Sequence, residues 1–184
     1  MMNRFLLLVM MLIFFSGCQL NEQSSGTDAS TRASKEKQNQ HQEEQNFDSF
    51  AGLGGSIQSF VDKFGENKGT DLLGKFANDS IMPTFADGKA LIITLSFEHP
   101  YTSEEQALAY VKTLIPNDSQ KIQEYKHTSI TPDDRIVIIY ESQKLSRQFD
   151  KLQFGGTKPG SFSVILQKEG SKFTGAAIGV AITP

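Results

Sequence analysis

The chain has 184 residues, with 18 Lys plus Arg against 21 Asp plus Glu, three His, one Cys and no Trp. A single thiol excludes an internal disulfide and any metal site built from several cysteines. A charge close to balance, with no clustered basic run, argues against nucleic acid as a partner, because phosphate recognition leaves a basic face.

The first segment, Met1 to Gly17, has three parts: a charged start at Arg4, an uninterrupted eleven-residue apolar stretch from Phe5 to Phe15, and the small residues Ser16 and Gly17. That order is the pattern of a secretory signal. The apolar stretch falls short of the roughly 20 residues needed to span a bilayer, so a cleaved signal is expected over a permanent span. Cys18 follows at once. Phe15-Ser16-Gly17-Cys18 resembles the lipobox of bacterial lipoproteins, with Phe15 where that family usually has Leu. The resemblance implies a cut between Gly17 and Cys18 and a diacylglyceryl group on the Cys18 sulfur. Two acyl chains hold a protein to a membrane stably where one holds it only reversibly. The alternative readings are ordinary secretory cleavage near Cys18 and an uncleaved apolar anchor.

From Gln19 to Asn46 the chain turns polar, with six Gln, no aromatic residue and Leu20 as the one large aliphatic side chain. Too little apolar surface exists there to offset the entropy of ordering a backbone, so residues 18–46 are expected to be a disordered tether behind the lipidated cysteine. Twenty-eight such residues have a root-mean-square span of about 30 Å. Three positive and five negative charges make this a spacer and not a basic stripe for anionic lipid.

Residues 47–184 are long enough for one core, and no second linker divides them. Ile57, Phe60, Val61 and Phe64 fall at helical spacing between Ser56, a suitable N-cap, and Gly65, a suitable stop. A second short helix is expected from Thr70 to Ala77. Ile81–Phe85 and Ala90–Glu98 read as strands of a hairpin turning on Asp87-Gly88, with Pro83 suited to an edge strand. Thr102 and Glu105 have the spacing of a capping box. Ala107, Leu108, Val111, Leu114 and Ile115 then form the apolar stripe of a helix ending before Pro116.

A polar strand is expected from Lys121 to His127. Arg135–Glu141, apolar on both faces at its centre, suits an interior strand covered on both sides. Ser142 is placed to cap a short helix through Leu145 and Phe149. Ser161–Lys168 and Lys172–Thr183 make a last hairpin around Glu169-Gly170-Ser171. Along its second strand Gly175, Ala177, Gly179 and Ala181 form a row of small residues. The row suits a helix packed across the sheet, or else the floor of a shallow groove. The fold class that follows is α+β: a mostly antiparallel sheet of about five or six strands with helices packed on one face.

The chemistry on offer is sparse, and no catalytic, cofactor-binding or metal-binding set emerges. His41 falls in the tether. His99 and His127 lack the spacing of a metal motif. Glu104-Glu105 suits the first turn of a helix, and Thr131-Pro132-Asp133-Asp134 suits a turn. The Gly52 to Gly55 cluster lacks the strand that a dinucleotide site needs and reads as a flexible connection. Gly155-Gly156 with Pro159-Gly160 makes a loop from Phe154 to Ser161 that is expected to be mobile and to border any ligand site. Two functions stay open. One is a membrane-anchored, extracytoplasmic binding or interaction module for an envelope protein, peptide or other component. The other is an envelope enzyme or small-ligand receptor with a pocket near the 154–161 loop.

Overall fold

The computed structural model describes residues 49–127 and 135–182, so Gly17, Cys18, the tether and Asp133-Asp134 lie outside the described residues. In chain order the elements are α1 (Ile57–Phe64), β1 (Ile81–Ala86), β2 (Lys89–Tyr101), α2 (Glu104–Val111) with a 3-10 turn at Lys112–Leu114, and β3 (Gln120–His127). There follow β4 (Arg135–Glu141), α3 (Gln143–Ser146), a 3-10 turn at Lys151–Phe154, β5 (Ser161–Glu169) and β6 (Lys172–Gly179). The six strands form one sheet in the order β1-β2-β6-β5-β4-β3, every neighbouring pair antiparallel. This is the α+β architecture expected from the sequence.

Local chemistry accounts for most element ends. Ser56 accepts from the Ser59 amide to start α1, and Gly65, at φ 89°, donates back to Val61 to stop it. Asp87 and Gly88 take φ 51° and 74°, the positive pair of a tight primed turn. The cap of α2 is Ser103 and not Thr102: its hydroxyl accepts from the Gln106 amide, one position later than the spacing suggests. β2 runs on past Glu98 to Tyr101, because Pro100 falls in a break of register between Ser96 and Tyr101 where no ladder bond is required of it.

The helix expected over Thr70 to Ala77 does not form. Thr70 Oγ1 accepts from the amides of Leu72 and Leu73, and Asn67 Oδ1 accepts from Gly69 and Lys75, so side chains take up the donors a helix would use. The segment instead runs beside β1, bridging Leu73 to Thr84 and Phe76 to Ile81. Gly52 to Gly55 is no slack connection either. All three glycines and Leu53 are buried, Leu53 N donates to Leu114 O at 2.8 Å, and Gly54 N donates to Ala90 O at 2.7 Å.

One face of the sheet carries the main core. Ile81, Phe85, Ile93, Leu95, Ile178, Ala176, Val164, Leu166, Ile138 and Tyr140 project there and pack with Phe60 of α1, Val111 of α2, Leu145 of α3 and Phe154. The small-residue row faces the other way. Its close neighbours are the chain's own: a Cβ on Gly179 would stand 2.9 Å from Ile182 Cδ1 and 3.0 Å from Ile92 Cγ1. No helix crosses that row among the described residues, contrary to the packing expected. β6 also ends at Gly179 and not Thr183, since Ala181 turns to φ 55°.

The pairing fixes which loops meet. Ala86 faces Lys89, Ile92 faces Gly179, Gly179 faces Ser163, Ser161 faces Glu141, and Glu141 faces Gln120. The β1–β2 turn, the end of β6, the β4–β5 connection and the start of β3 therefore share one end of the sheet. The chain enters at that same end, where Ser56 bridges to Lys89.

Candidate functional site

At this shared end, a polar groove of about 490 Å³ opens between the start of β3, the end of β4 and the 154–161 loop. Its walls include Asp118, Glu141, Ser142, Gln143, Lys158 and Pro159. The loop comes close because its backbone turns sharply: Gly155, Gly156 and Gly160 have φ of 58°, 85° and 90°. At Gly160 a side chain would run into the Ser142 carbonyl, which sits against it because Ser142 N donates to Gly160 O at 3.0 Å.

The floor of the groove is a hydrogen-bonded clasp. Ser142 Oγ donates to Asp118 Oδ1 at 2.6 Å and accepts from the Leu145 amide at 3.0 Å. Asp118 Oδ2 accepts from the Lys144 amide at 3.0 Å. One carboxylate and one buried hydroxyl thus cap α3 and fasten the loop before β3 to the end of β4. On the rim, Lys158 Nζ pairs with Glu141 Oε2 at 2.6 Å, with the Lys158 side chain 69% exposed. An exposed pair of this kind contributes roughly 0–1 kcal/mol, so a ligand carrying both charges displaces it at little cost.

Ser142 was legible as a cap, and the 154–161 loop as a border. Asp118 and Glu141 were missed as site residues, since they stand far from the loop in sequence and meet it only through the β4–β5 register. Two other recesses among the described residues are smaller. One of about 380 Å³ lies between Ala77–Ser80 and Ser96–Glu98, where Ala77, Asn78 and Asp79 all have positive φ. Another, of about 150 Å³, lies beside Arg135, Gln167 and Thr174.

His41 lies outside the described residues, and neither His99 nor His127 belongs to the lining of the groove. His99 is exposed on β2, and His127 closes β3 opposite Arg135 at the far end of the sheet. Glu104 and Glu105 occupy the first turn of α2, where acidic groups complement the helix dipole. Among the described residues no three His, Cys, Asp or Glu side chains gather as a metal site would require. Nor is any helix among them long and apolar enough to cross a membrane.

Two phenols in the molecule are held protonated above their ordinary range. Burial raises Tyr110, with Tyr101 adding to the effect. Burial is also the leading cause at Tyr140, where the ring stacks on Phe162 with centroids 5.4 Å apart.

Compared with protein-family models, curated proteins and solved structures, the chain matches none.

Proposed function

We propose that the chain is a lipoprotein held at the extracytoplasmic face of a membrane by a diacylated Cys18, and that its α+β domain serves there as a binding module. The observation that carries this reading is the placement of the only cysteine, directly after Arg4, an eleven-residue apolar stretch and Ser16-Gly17. A long polar tether gives the domain reach, as a surface-displayed module requires. The test is fractionation of cells expressing the native chain and Cys18→Ala. The native chain is expected with the membranes and labelled by fatty acid; an unchanged, labelled Cys18→Ala product contradicts the reading. Partner capture from detergent-solubilised membranes then addresses the binding role, and the absence of any saturable partner counts against it.

A second reading is a small-ligand receptor or envelope enzyme that uses the groove beside the 154–161 loop. The mixed lining of Asp118, Glu141, Ser142 and Lys158 favours it, since convergent polar groups are what orient a small ligand. Saturable binding of a small polar molecule, lost in Lys158→Ala and Glu141→Ala, distinguishes it from the first.

A further inference from the structure

The rim of the groove carries a pair of opposite charges on two fixed supports. Glu141 closes β4 and is paired through the backbone with Gln120 on one side and Ser161 on the other. Lys158 opens a four-residue turn, Lys158-Pro159-Gly160-Ser161, in which Ser161 N donates to Lys158 O at 2.9 Å and Gly160 takes φ 90°. Proline at the second position and a positive-φ glycine at the third are the signature of a type II turn. The bond from Ser142 N to Gly160 O ties that turn to the end of β4. A fixed backbone therefore presents Lys158, while its side chain, 69% exposed, can exchange one partner for another.

Below the pair stands Asp118. Its two oxygens accept from neutral donors, the Ser142 hydroxyl at 2.6 Å and the Lys144 amide at 3.0 Å, and these bonds hold the carboxylate in place without cancelling its charge. The charged side chains of the lining are thus Asp118 and Glu141 against Lys158.

Such a set sorts ligands by charge. An anion drawn to Lys158 meets two carboxylates, and a simple cation that takes Glu141 leaves the Lys158 ammonium facing it. A zwitterion does neither. Its ammonium pairs with Glu141 above Asp118 while its carboxylate pairs with Lys158, so one ion pair is exchanged for two and no like charges are set together. An α-amino acid carries both charges on one carbon, a spacing that suits partners whose side chains already meet at 2.6 Å. Gln120, Gln143 and Ser146 add amides and a hydroxyl to the lining, which suits a polar ligand side chain.

We infer that the groove is a site for a free polar α-amino acid, with Glu141 and Lys158 as the two charge-reading residues. This rests on the second reading above, in which the groove receives a small ligand.

The test titrates the full chain, purified as the cell makes it, with L-serine, L-asparagine and L-glutamine, and with the N-acetyl and carboxamide derivatives of each, by isothermal titration calorimetry. At least one free amino acid is expected to bind saturably, and both of its derivatives about tenfold more weakly or worse, because each block deletes one charged contact. Glu141→Gln and Lys158→Met should each weaken the free amino acid to the same extent and leave Tm unchanged, whereas Lys172→Met, at the far end of the sheet, should alter neither. Derivatives that bind as tightly as the parent overturn the zwitterion and leave a small-ligand groove standing. Binding that survives both groove variants lies elsewhere on the molecule and overturns the site. No saturable binding by any of the three amino acids overturns the ligand class named here, while the receptor reading is judged on a wider set of small polar molecules.

Discussion

Ser142 Oγ and Asp118 Oδ1 meet at 2.6 Å across 24 positions of sequence, and that contact ties the approach to β3 to the end of β4. Ser142 is 3% exposed and Leu145 is fully buried, so the Leu145 amide has no water to turn to when the hydroxyl is removed. Ser142→Ala strands the Leu145 amide and removes a bond to Asp118, and should cost about 1–2 kcal/mol. Urea unfolding of Ser142→Ala, Asp118→Asn and the double variant measures it. Additive losses would show that the two side chains act separately.

Phe60 is the pivot of the core beneath β1. It is fully buried, with rings of Phe64, Phe76 and Phe85 at centroid distances of 5.9, 5.6 and 5.6 Å. Phe60→Ala removes contacts that no neighbour can replace and should cost about 3–5 kcal/mol. A loss below about 1 kcal/mol would mean that α1 is not fixed to the sheet as described.

Gly179 sits where Ile182 and Ile92 press on the face opposite the main core. Gly179→Val inserts a branched side chain into contacts already near 3 Å and should destabilise by about 1–3 kcal/mol. Unchanged melting together with lost ligand binding would instead assign the small-residue row to a groove.

Stability should fall on the alkaline side. Tyr110 and Tyr140 ionise above the ordinary phenol value of 10.0 in the folded chain, because burial disfavours the phenolate. The unfolded phenols ionise first as pH rises, so their contribution is complete below pH 10.0 and is lost as pH climbs through the folded values. Tm should drop more steeply above pH 10 in the native chain than in Tyr110→Phe/Tyr140→Phe, measured across the same pH series. Parallel curves contradict the assignment.

The parts of the fold that sequence reading reached are those governed by neighbours in the chain. The Ser56 and Ser142 caps, the Gly65 stop and the Asp87-Gly88 turn each depend on a few adjacent residues. Residues 70–77 went the other way because Thr70 and Asn67 side chains compete for the backbone donors, and because Pro83 O and Phe85 N of β1 pair with Gly74 and Leu72. That pairing has no local signature. The groove divides in the same manner: glycines and a proline announced the 154–161 loop, while Asp118 and Glu141 reach it only through strand register.

The most direct measurement is intact mass and sequencing of the mature amino terminus. A chain that begins at Cys18, with a diacylglyceryl group on sulfur, is the predicted product. A chain still beginning at Met1, or a Cys18 with an unmodified thiol, contradicts the account at its foundation.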